Sequence, residues 1–266
     1  MTLPADYHMH TPLCRHAEGE PSEYAARARQ LGFTEIGFSD HSPMARDDFD
    51  DWRMRLDQLD EYVEQVHRAQ REHPTLTIRL AMEVDYLPGQ EDWIRELAAR
   101  HPWDYLIGSV HYISGGWDVD SPFKRERWAT ADVDAVWGEY CERLRQAAAS
   151  GLFEILGHVD LPKKFRFLPR RDLGELFAPI FAAAKATRTA IELNTAGLRK
   201  DCAEIYPSLP LLKQASAAGI AITFGSDAHK PEEVGLAFGA AVELARAAGY
   251  REWVSFAGRR AMKRHL

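Results

Sequence analysis

Seven of the eleven histidines in this 266-residue chain fall where their ring nitrogens can gather around metal ions. They are His8, His10, His16, His41, His111, His158 and His229. Two carboxylates belong with them, Glu83 in Met82-Glu83-Val84-Asp85 and Asp227 in Gly225-Ser226-Asp227-Ala228-His229. His8 and His10 are two residues apart, as are Asp227 and His229, so on an extended chain each pair points to one face. Imidazole and carboxylate donors without thiolate suit Zn, Mn or Fe in a hydrolytic centre and do not suit a structural Cys-rich zinc site. A catalytic metal takes roughly three to four protein ligands, so these donors would serve two or three divalent ions, with Glu83 able to bridge two through its two oxygens. Singly the features are weak, since an isolated His at a strand end is more often a hydrogen-bonded structural residue. The His pair, the Glu and the Asp-x-His together carry the reading. His67, His73, His101 and His265 fall on helices, helix ends or the C-terminus and read as structural or solvent-exposed. Cys14 lies between ligands, but one thiol among many imidazoles reads as a small buried residue.

The elements that must present these side chains follow from periodicity. Short runs rich in Ile, Val, Phe and Leu alternate with helical segments, which points to repeated βα units. Strands are predicted over 6–10, 35–41, 77–86, 105–113, 154–160, 190–195 and 221–229. Helices are predicted over 22–31, 52–72, 92–100, 130–150, 172–187, 209–218 and 232–248. Gly32, Gly151, Gly219 and Gly249 stand just past helix ends, as a left-handed C′ position prefers, and His73-Pro74 stops the second helix. Strands alternating with helices usually lie parallel, in a barrel or in an open doubly wound sheet. The length fits a barrel, and the turn from His10 to His16 holds no G-x-G-x-x-G and no Walker A loop. In such a barrel the C-terminal strand ends form one rim, where all nine donors would meet. No Ser/Gly linker, repeat or low-complexity tract divides the chain, so residues 1–266 read as one domain.

Composition narrows the partners. Thirty-three Lys and Arg against 40 Asp and Glu give a net charge of -7, which argues against nucleic-acid coating and against a basic membrane-surface role. No uninterrupted apolar run is long enough to span a bilayer, and the first residues lack a basic stretch followed by an apolar one. The three cysteines, Cys14, Cys141 and Cys202, are scattered and odd in number, which fits a reducing compartment. A cytoplasmic location is expected, with no nucleic acid and no membrane as partners.

The motifs in order are His8-Met9-His10-Thr11-Pro12-Leu13-Cys14-Arg15-His16, Phe38-Ser39-Asp40-His41-Ser42-Pro43, Glu83-Val84-Asp85 and Gly108-Ser109-Val110-His111. They continue as Gly157-His158-Val159-Asp160, Glu192-Leu193-Asn194-Thr195, Gly197-Leu198-Arg199 and Gly225-Ser226-Asp227-Ala228-His229. This series resembles the PHP (polymerase and histidinol phosphatase) superfamily over almost the whole chain, and within it looks most like the stand-alone phosphatases of histidine biosynthesis. The resemblance implies a distorted seven-stranded (β/α)7 barrel of the TIM-like type, a trinuclear metal site and hydrolysis of L-histidinol phosphate to L-histidinol and phosphate. By the same resemblance His8, His10, Glu83 and Asp227 would hold one metal, Glu83, His111 and His158 a second, and His16, His41 and His229 a third. Lys163, where an arginine is common, and Arg199 match the family's phosphate-binding pair. Lys164 could substitute for Lys163, and Asn194 and Thr195 could add polar contacts.

Seven neutral imidazoles and two carboxylates around three divalent ions leave about +4 of charge, which would draw a phosphate dianion into an acidic protein. The expected nucleophile is a metal-activated water held by Glu83, Asp227 and His229, since neither Ser109 nor Ser226 sits in a nucleophile elbow. Asp40 and Asp160 are candidates for proton donor or for partners that orient imidazoles. Asp118, Asp120 or Asp160 would meet the amino group of the substrate. The alternatives are another small phosphate ester, nucleic-acid ends, an amidohydrolase reaction and a non-catalytic metal-binding module. Segments 47–52 and 115–128 contain aromatic residues and favour a small enclosed substrate.

Overall fold

Six buried strands hydrogen-bond side by side, all parallel, in the computed structural model, which describes residues 3–266. In chain order β1 (Glu35–Phe38), β2 (Thr77–Asp85) and β3 (Tyr105–Ser109) come first. A two-stranded hairpin of β4 (Tyr112–Ile113) and β5 (Trp117–Asp118) then branches off. The sheet resumes with β6 (Ile155–Leu156), β7 (Ala190–Asn194) and β8 (Ile222–Gly225), giving the order β1-β2-β3-β6-β7-β8. The chain ends in an antiparallel pair, β9 (Glu252–Ala257) with β10 (Arg260–His265), which the periodicity does not predict.

Residues 6–10 touch both edges of this curled sheet. Gly37 N donates to Asp6 O (2.8 Å) and Ser39 N to Met9 O (3.0 Å) on the β1 side. On the β8 side Tyr7 N donates to Phe224 O (3.0 Å) and His10 N to Ala228 O (2.9 Å). The predicted first strand is present only as single bridges, Asp6 with Ile36 and Met9 with Ala228. Four other predicted strands are also cut short. The run 35–41 stops at Phe38, 105–113 stops at Ser109, 154–160 keeps only Ile155–Leu156, and 221–229 stops at Gly225. His158 and Asp227 lie just beyond two of those ends with φ of 20° and 53°, values that no strand continues through.

Helices cover the sheet between strands, and their ends are largely those the sequence predicts. Val133–Ser150 is capped by the Asp132 carboxylate, which accepts from Asp134 N and Ala135 N, and ends on left-handed Gly151. The predicted helix over 52–72 instead begins at Leu59, after a 3₁₀ turn at Leu56–Gln58, which frees Trp52 and Arg53 to fold inward. The predicted 232–248 helix begins at Phe238. Beneath the rim, Tyr7 packs on Tyr105 (4.7 Å), Trp253 and Phe256 (6.4 Å each), and Tyr105 donates to Tyr7 O at 2.7 Å. That hydroxyl occupies the place of a side chain at Gly37, where a Cβ would lie 2.0 Å from it. No helix among the described residues is long and apolar enough to cross a membrane.

Candidate metal centre

All nine predicted donors converge at the C-terminal ends of the strands. Glu83, near the end of β2, is 1 % exposed and sits at the middle of them. Its Oε1 accepts from Ser109 Oγ (2.6 Å) and faces His158 Nε2 (3.0 Å) and His111 Nε2 (3.6 Å). Its Oε2 faces His41 Nδ1 (2.8 Å), His8 Nε2 (3.3 Å) and His10 Nε2 (3.8 Å). The two oxygens thus look into two different groups of imidazoles. Asp227 Oδ1 lies 3.2 Å from His10 Nε2, and the Nε2 atoms of His16 and His229 are 2.9 Å apart.

Donor atoms cluster as His8, His10 and Asp227; as Glu83, His111 and His158; and as His10, His41 and His229, with Cys14, His16 and His229 overlapping the last. The third set implied by the resemblance is therefore split between two groups that share His229. His8 Nε2, His10 Nε2, His41 Nδ1 and Glu83 Oε2 are all buried and make no hydrogen bond. Unpaired buried polar atoms are costly and uncommon. Four of them pointing at one another is the arrangement that divalent ions would satisfy, so the residues fit divalent metals.

The opposite ring nitrogens are held from behind. His8 Nδ1 meets Glu192 Oε1 at 2.7 Å, His10 Nδ1 meets Asp40 Oδ1 at 3.2 Å, and His111 Nδ1 meets Asp85 Oδ1 at 2.8 Å. His16 Nδ1 and His229 Nδ1 meet the carbonyls of Cys14 (2.8 Å) and Asp227 (3.0 Å). A proton on Nδ1 donated to these acceptors leaves the Nε2 lone pair facing the centre. Asp40 thus orients an imidazole. Asp160 meets none of the ligand imidazoles; its Oδ2 takes Lys163 Nζ (2.9 Å) and Ser208 N (2.9 Å), and its Oδ1 is buried without a partner.

The spacing of the motifs gives Glu192 no part in the site. The signal for it is a lone carboxylate in the buried strand Ala190-Ile191-Glu192-Leu193-Asn194, a polar group that must find partners. It finds His8, His158 N (3.0 Å) and Asn194 Nδ2 (3.0 Å). Gly225 makes room for it, since a Cβ there would lie 1.9 Å from Glu192 Oε1.

Electrostatics follow from this geometry. Burial opposes charge on His8, but Glu192, Glu83 and Asp227 outweigh it and hold its pKa well above the usual value. Burial is likewise overcome at His10 by the Asp227 and Asp40 carboxylates, to about 9, and at His111 by Asp85, to about 10. Burial prevails at His41, which falls to about 4, and at His229, which falls well below the usual range with the His10 charge adding to the effect. Glu83, against its burial, is held well below the carboxylate range by His8 and His41.

Over the centre opens a cavity of about 840 Å³, within the range of small-molecule sites. Its walls include Trp52, Tyr112, Asp118, Asp120, Lys164 and Arg199. Of the three residues expected to bind phosphate, only Arg199 is on the wall. Lys163 is 3 % exposed, and its ammonium is spent on Asp160, Glu204 Oε2 (3.1 Å) and Ile205 O (2.8 Å), so of the two adjacent lysines Lys164 is the one on the cavity wall. Asn194 is fully buried beneath the floor, donating to Glu192 and to Asp227 Oδ2 (3.3 Å). Thr195 is buried as well. Of the four histidines set aside, His73 meets Ser22 Oγ (2.8 Å) and His101 meets Asp60 (3.2 Å), while His265 is exposed, all away from the centre.

Comparison with known proteins gives the same direction. A family model for the PHP domain matches residues 6–196, and one described as PHP-associated matches residues 212–244. The chain is 42 % identical over 252 residues to a Deinococcus radiodurans protein named "Probable histidinol-phosphatase", covering 94 % of this chain and 96 % of that one. It is 30 % identical over 262 residues to the histidinol-phosphatase of Bacillus subtilis, covering 90 % and 98 %. The fold is similar, at TM-score 0.84 and 22 % identity, to the histidinol phosphate phosphatase of Lactococcus lactis solved with Zn, L-histidinol and phosphate, covering 98 % of this chain and all of that one.

Proposed function

This chain belongs to the PHP domain family, and from that premise we propose that it is a metal-dependent phosphomonoesterase that hydrolyses L-histidinol phosphate to L-histidinol and phosphate. The observation that carries the proposal is the set of buried ligand atoms without hydrogen bonds on the floor of a cavity whose wall bears Arg199 and Lys164. The relatives' names and the Zn, histidinol and phosphate bound to the Lactococcus protein support the substrate. We further take residues 1–266 as one PHP domain in the cytoplasm, with residues 6–10 as the seventh stave of a (β/α)7 barrel. Two to three ions, Zn, Mn or Fe, would be held by His8, His10 and Asp227, by Glu83, His111 and His158, and by His16, His41 and His229. When bound, such ions supply positive charge for the phosphate and make a water nucleophilic near neutral pH.

The chain's own residues do the rest. Arg199 and Lys164 bind the phosphate oxygens; Arg199 Nη1 is buried without a hydrogen bond. Glu83, Asp227 and His229 position the attacking water. Asp118 and Asp120 take the substrate's ammonium. Asp120 is kept ionised by Lys164, whose Nζ lies 2.7 Å from its Oδ2. Burial together with the Asp120 charge pushes the Asp118 carboxyl up to about 8, so it holds a proton at neutral pH that an arriving ammonium would displace. Trp52 and Tyr112 offer aromatic faces to the imidazole ring.

The test is a panel of phosphate monoesters with metal analysis on the same sample. Histidinol phosphate should exceed sugar phosphates, mononucleotides and a 5′-phosphorylated oligonucleotide in kcat/KM by about 100-fold, the worth of one or two charge-assisted contacts. A preference for the oligonucleotide would replace the substrate, and turnover of none would end the proposal.

Arg199 also braces the centre, as its Nη2 donates to Ser226 O and Asp227 O, both at 3.0 Å. Replacing it with Ala should raise KM by roughly 10- to 100-fold through lost charge-assisted bonds of about 1.5–3 kcal/mol. Metal content should fall in the same variant, because the Asp227 backbone loses its support. Steady-state kinetics with metal quantification read both effects, and wild-type values for both would remove Arg199 from the site.

A further inference from the structure

Arg53 is 4 % exposed and lies in the loop that the sequence predicts as helix, close to the centre but facing away from its donor atoms. Its three nitrogens are each engaged. Nε donates to Asp50 Oδ2 (2.8 Å), Nη1 to Ser42 O (3.1 Å) and Nη2 to Asp85 Oδ2 (2.8 Å). The other oxygen of Asp85 holds His111 Nδ1, so one carboxylate stands between the guanidinium and a metal-facing imidazole.

The same guanidinium also reaches the cavity wall. Its carbon lies 4.2 Å from the Trp52 ring centroid. Trp52 Nε1 donates to Tyr112 Oη (2.9 Å), and Tyr112 Oη donates to Asp50 Oδ2 (2.7 Å), which returns to Arg53. Trp52 then closes the circuit by meeting His41 at 4.6 Å and His111 at 5.3 Å, edge-on in both cases. Asp50, Trp52, Asp85, His111 and Tyr112, from three separate stretches of chain, are thus joined through one cation, with His41 reached through Trp52. Asp50 and Asp85 both need that cation, since two buried carboxylates without it would repel each other.

We propose that Arg53 is a positioning residue that sets, through Asp85, the orientation of His111 and, through Asp50 and the Trp52 face, the aromatic wall of the cavity. The proposal rests on the reading of the centre as a metal site but not on the identity of the substrate. A planar fork that spans Asp50, Asp85 and a carbonyl cannot be replaced by a lysine ammonium, although lysine keeps the buried charge that the fold requires.

The experiment compares wild type, Arg53→Lys and Asp50→Asn, each stripped of metal and titrated with Co²⁺ while its visible absorption bands and thermal unfolding are followed. Kinetics of the reloaded proteins are measured in parallel. Arg53→Lys should stay folded, bind the ion held by Glu83, His111 and His158 about 10- to 100-fold more weakly, as loss of a ligand's hydrogen-bond support typically does, and show altered bands. It should also raise KM through the displaced Trp52. Asp50→Asn leaves Asp85 on His111, so its Co²⁺ affinity should hold while KM rises. A folded Arg53→Lys protein with wild-type bands, affinity and KM overturns the proposal. If Arg53→Lys does not fold, Asp50→Asn decides, and an unchanged KM overturns it. Failure of the wild type to bind Co²⁺ overturns the metal-site reading, a result distinct from either.

Discussion

Replacing Glu83 with Gln is expected to lower kcat/KM by about 10³-fold or more and to reduce bound metal, with little change in fold. The amide has nearly the volume of the carboxylate, so the packing around this 1 % exposed side chain is kept. The negative charge is lost, however, and the NH₂ group must face one of two sets of acceptors. On one side are His158 and His111 nitrogens at 3.0 and 3.6 Å, and on the other His41 and His8 nitrogens at 2.8 and 3.3 Å. Either placement turns a donor toward a position built for a cation. A loss of about 4 kcal/mol of transition-state stabilisation, the scale of metal-assisted charge neutralisation, corresponds to that factor. Metal quantification, circular dichroism and turnover on one preparation check the three parts together. A variant with full metal content and near wild-type turnover would show that Glu83 is not shared between ions.

Removing the divalent ions should abolish turnover, and reloading should release protons. In the metal-free protein His10 and His111 are lifted to about 9 and 10, and His8 well above its ordinary value, so at pH 7 all three carry a proton. A metal-bound imidazole must surrender one. The sign follows: apparent metal affinity increases as pH rises from about 6.5 toward 9 to 10 and weakens below that window. His41 and His229, already neutral at pH 7, contribute none of this. Calorimetric titration with metal in two buffers of different ionisation enthalpy should give a release of about three protons at pH 7. Release of none would mean that His8, His10 and His111 are not displaced by the ions.

The gathering of the nine side chains at one place is legible in the sequence because its signals are local. His-x-His and Asp-x-His reveal a shared face by spacing alone, and apolar runs around Glu83 and His158 mark strand ends. Strand lengths were overestimated for a related reason. Ligand residues continue an apolar run in sequence, yet His158 and Asp227 adopt positive φ, and the ladder stops before them. Lys163 and Lys164 were interchangeable in sequence, and only the partners Asp160 and Glu204 separate the buried one from the one at the wall. Asp85, Arg53 and Glu192 act through partners tens of residues away, so no spacing rule reaches them. Trp52 was placed on a helix because its neighbours continue a helical period, whereas the Arg53 bonds to Ser42 O and Asp85 pin that stretch as a loop.

The way residues 6–10 join both edges of the sheet bears on how the protein is made. From β1 to β8 each strand pairs with one that follows it in sequence, so those pairings can form as the chain emerges from a ribosome. Residues 6–10 are different. Their partners in and just beyond β8, such as Ser226 N on the Asp6 carboxylate 220 residues away, lie far downstream. Contacts of such separation form late and slowly, because the loop they close must be ordered first. The His8 and His10 pair therefore waits for Asp227, and a nascent chain carries its most reactive side chains open until the last sheet strand arrives. Catalytic competence is then gained at one closing step, once residues 222–229 are available.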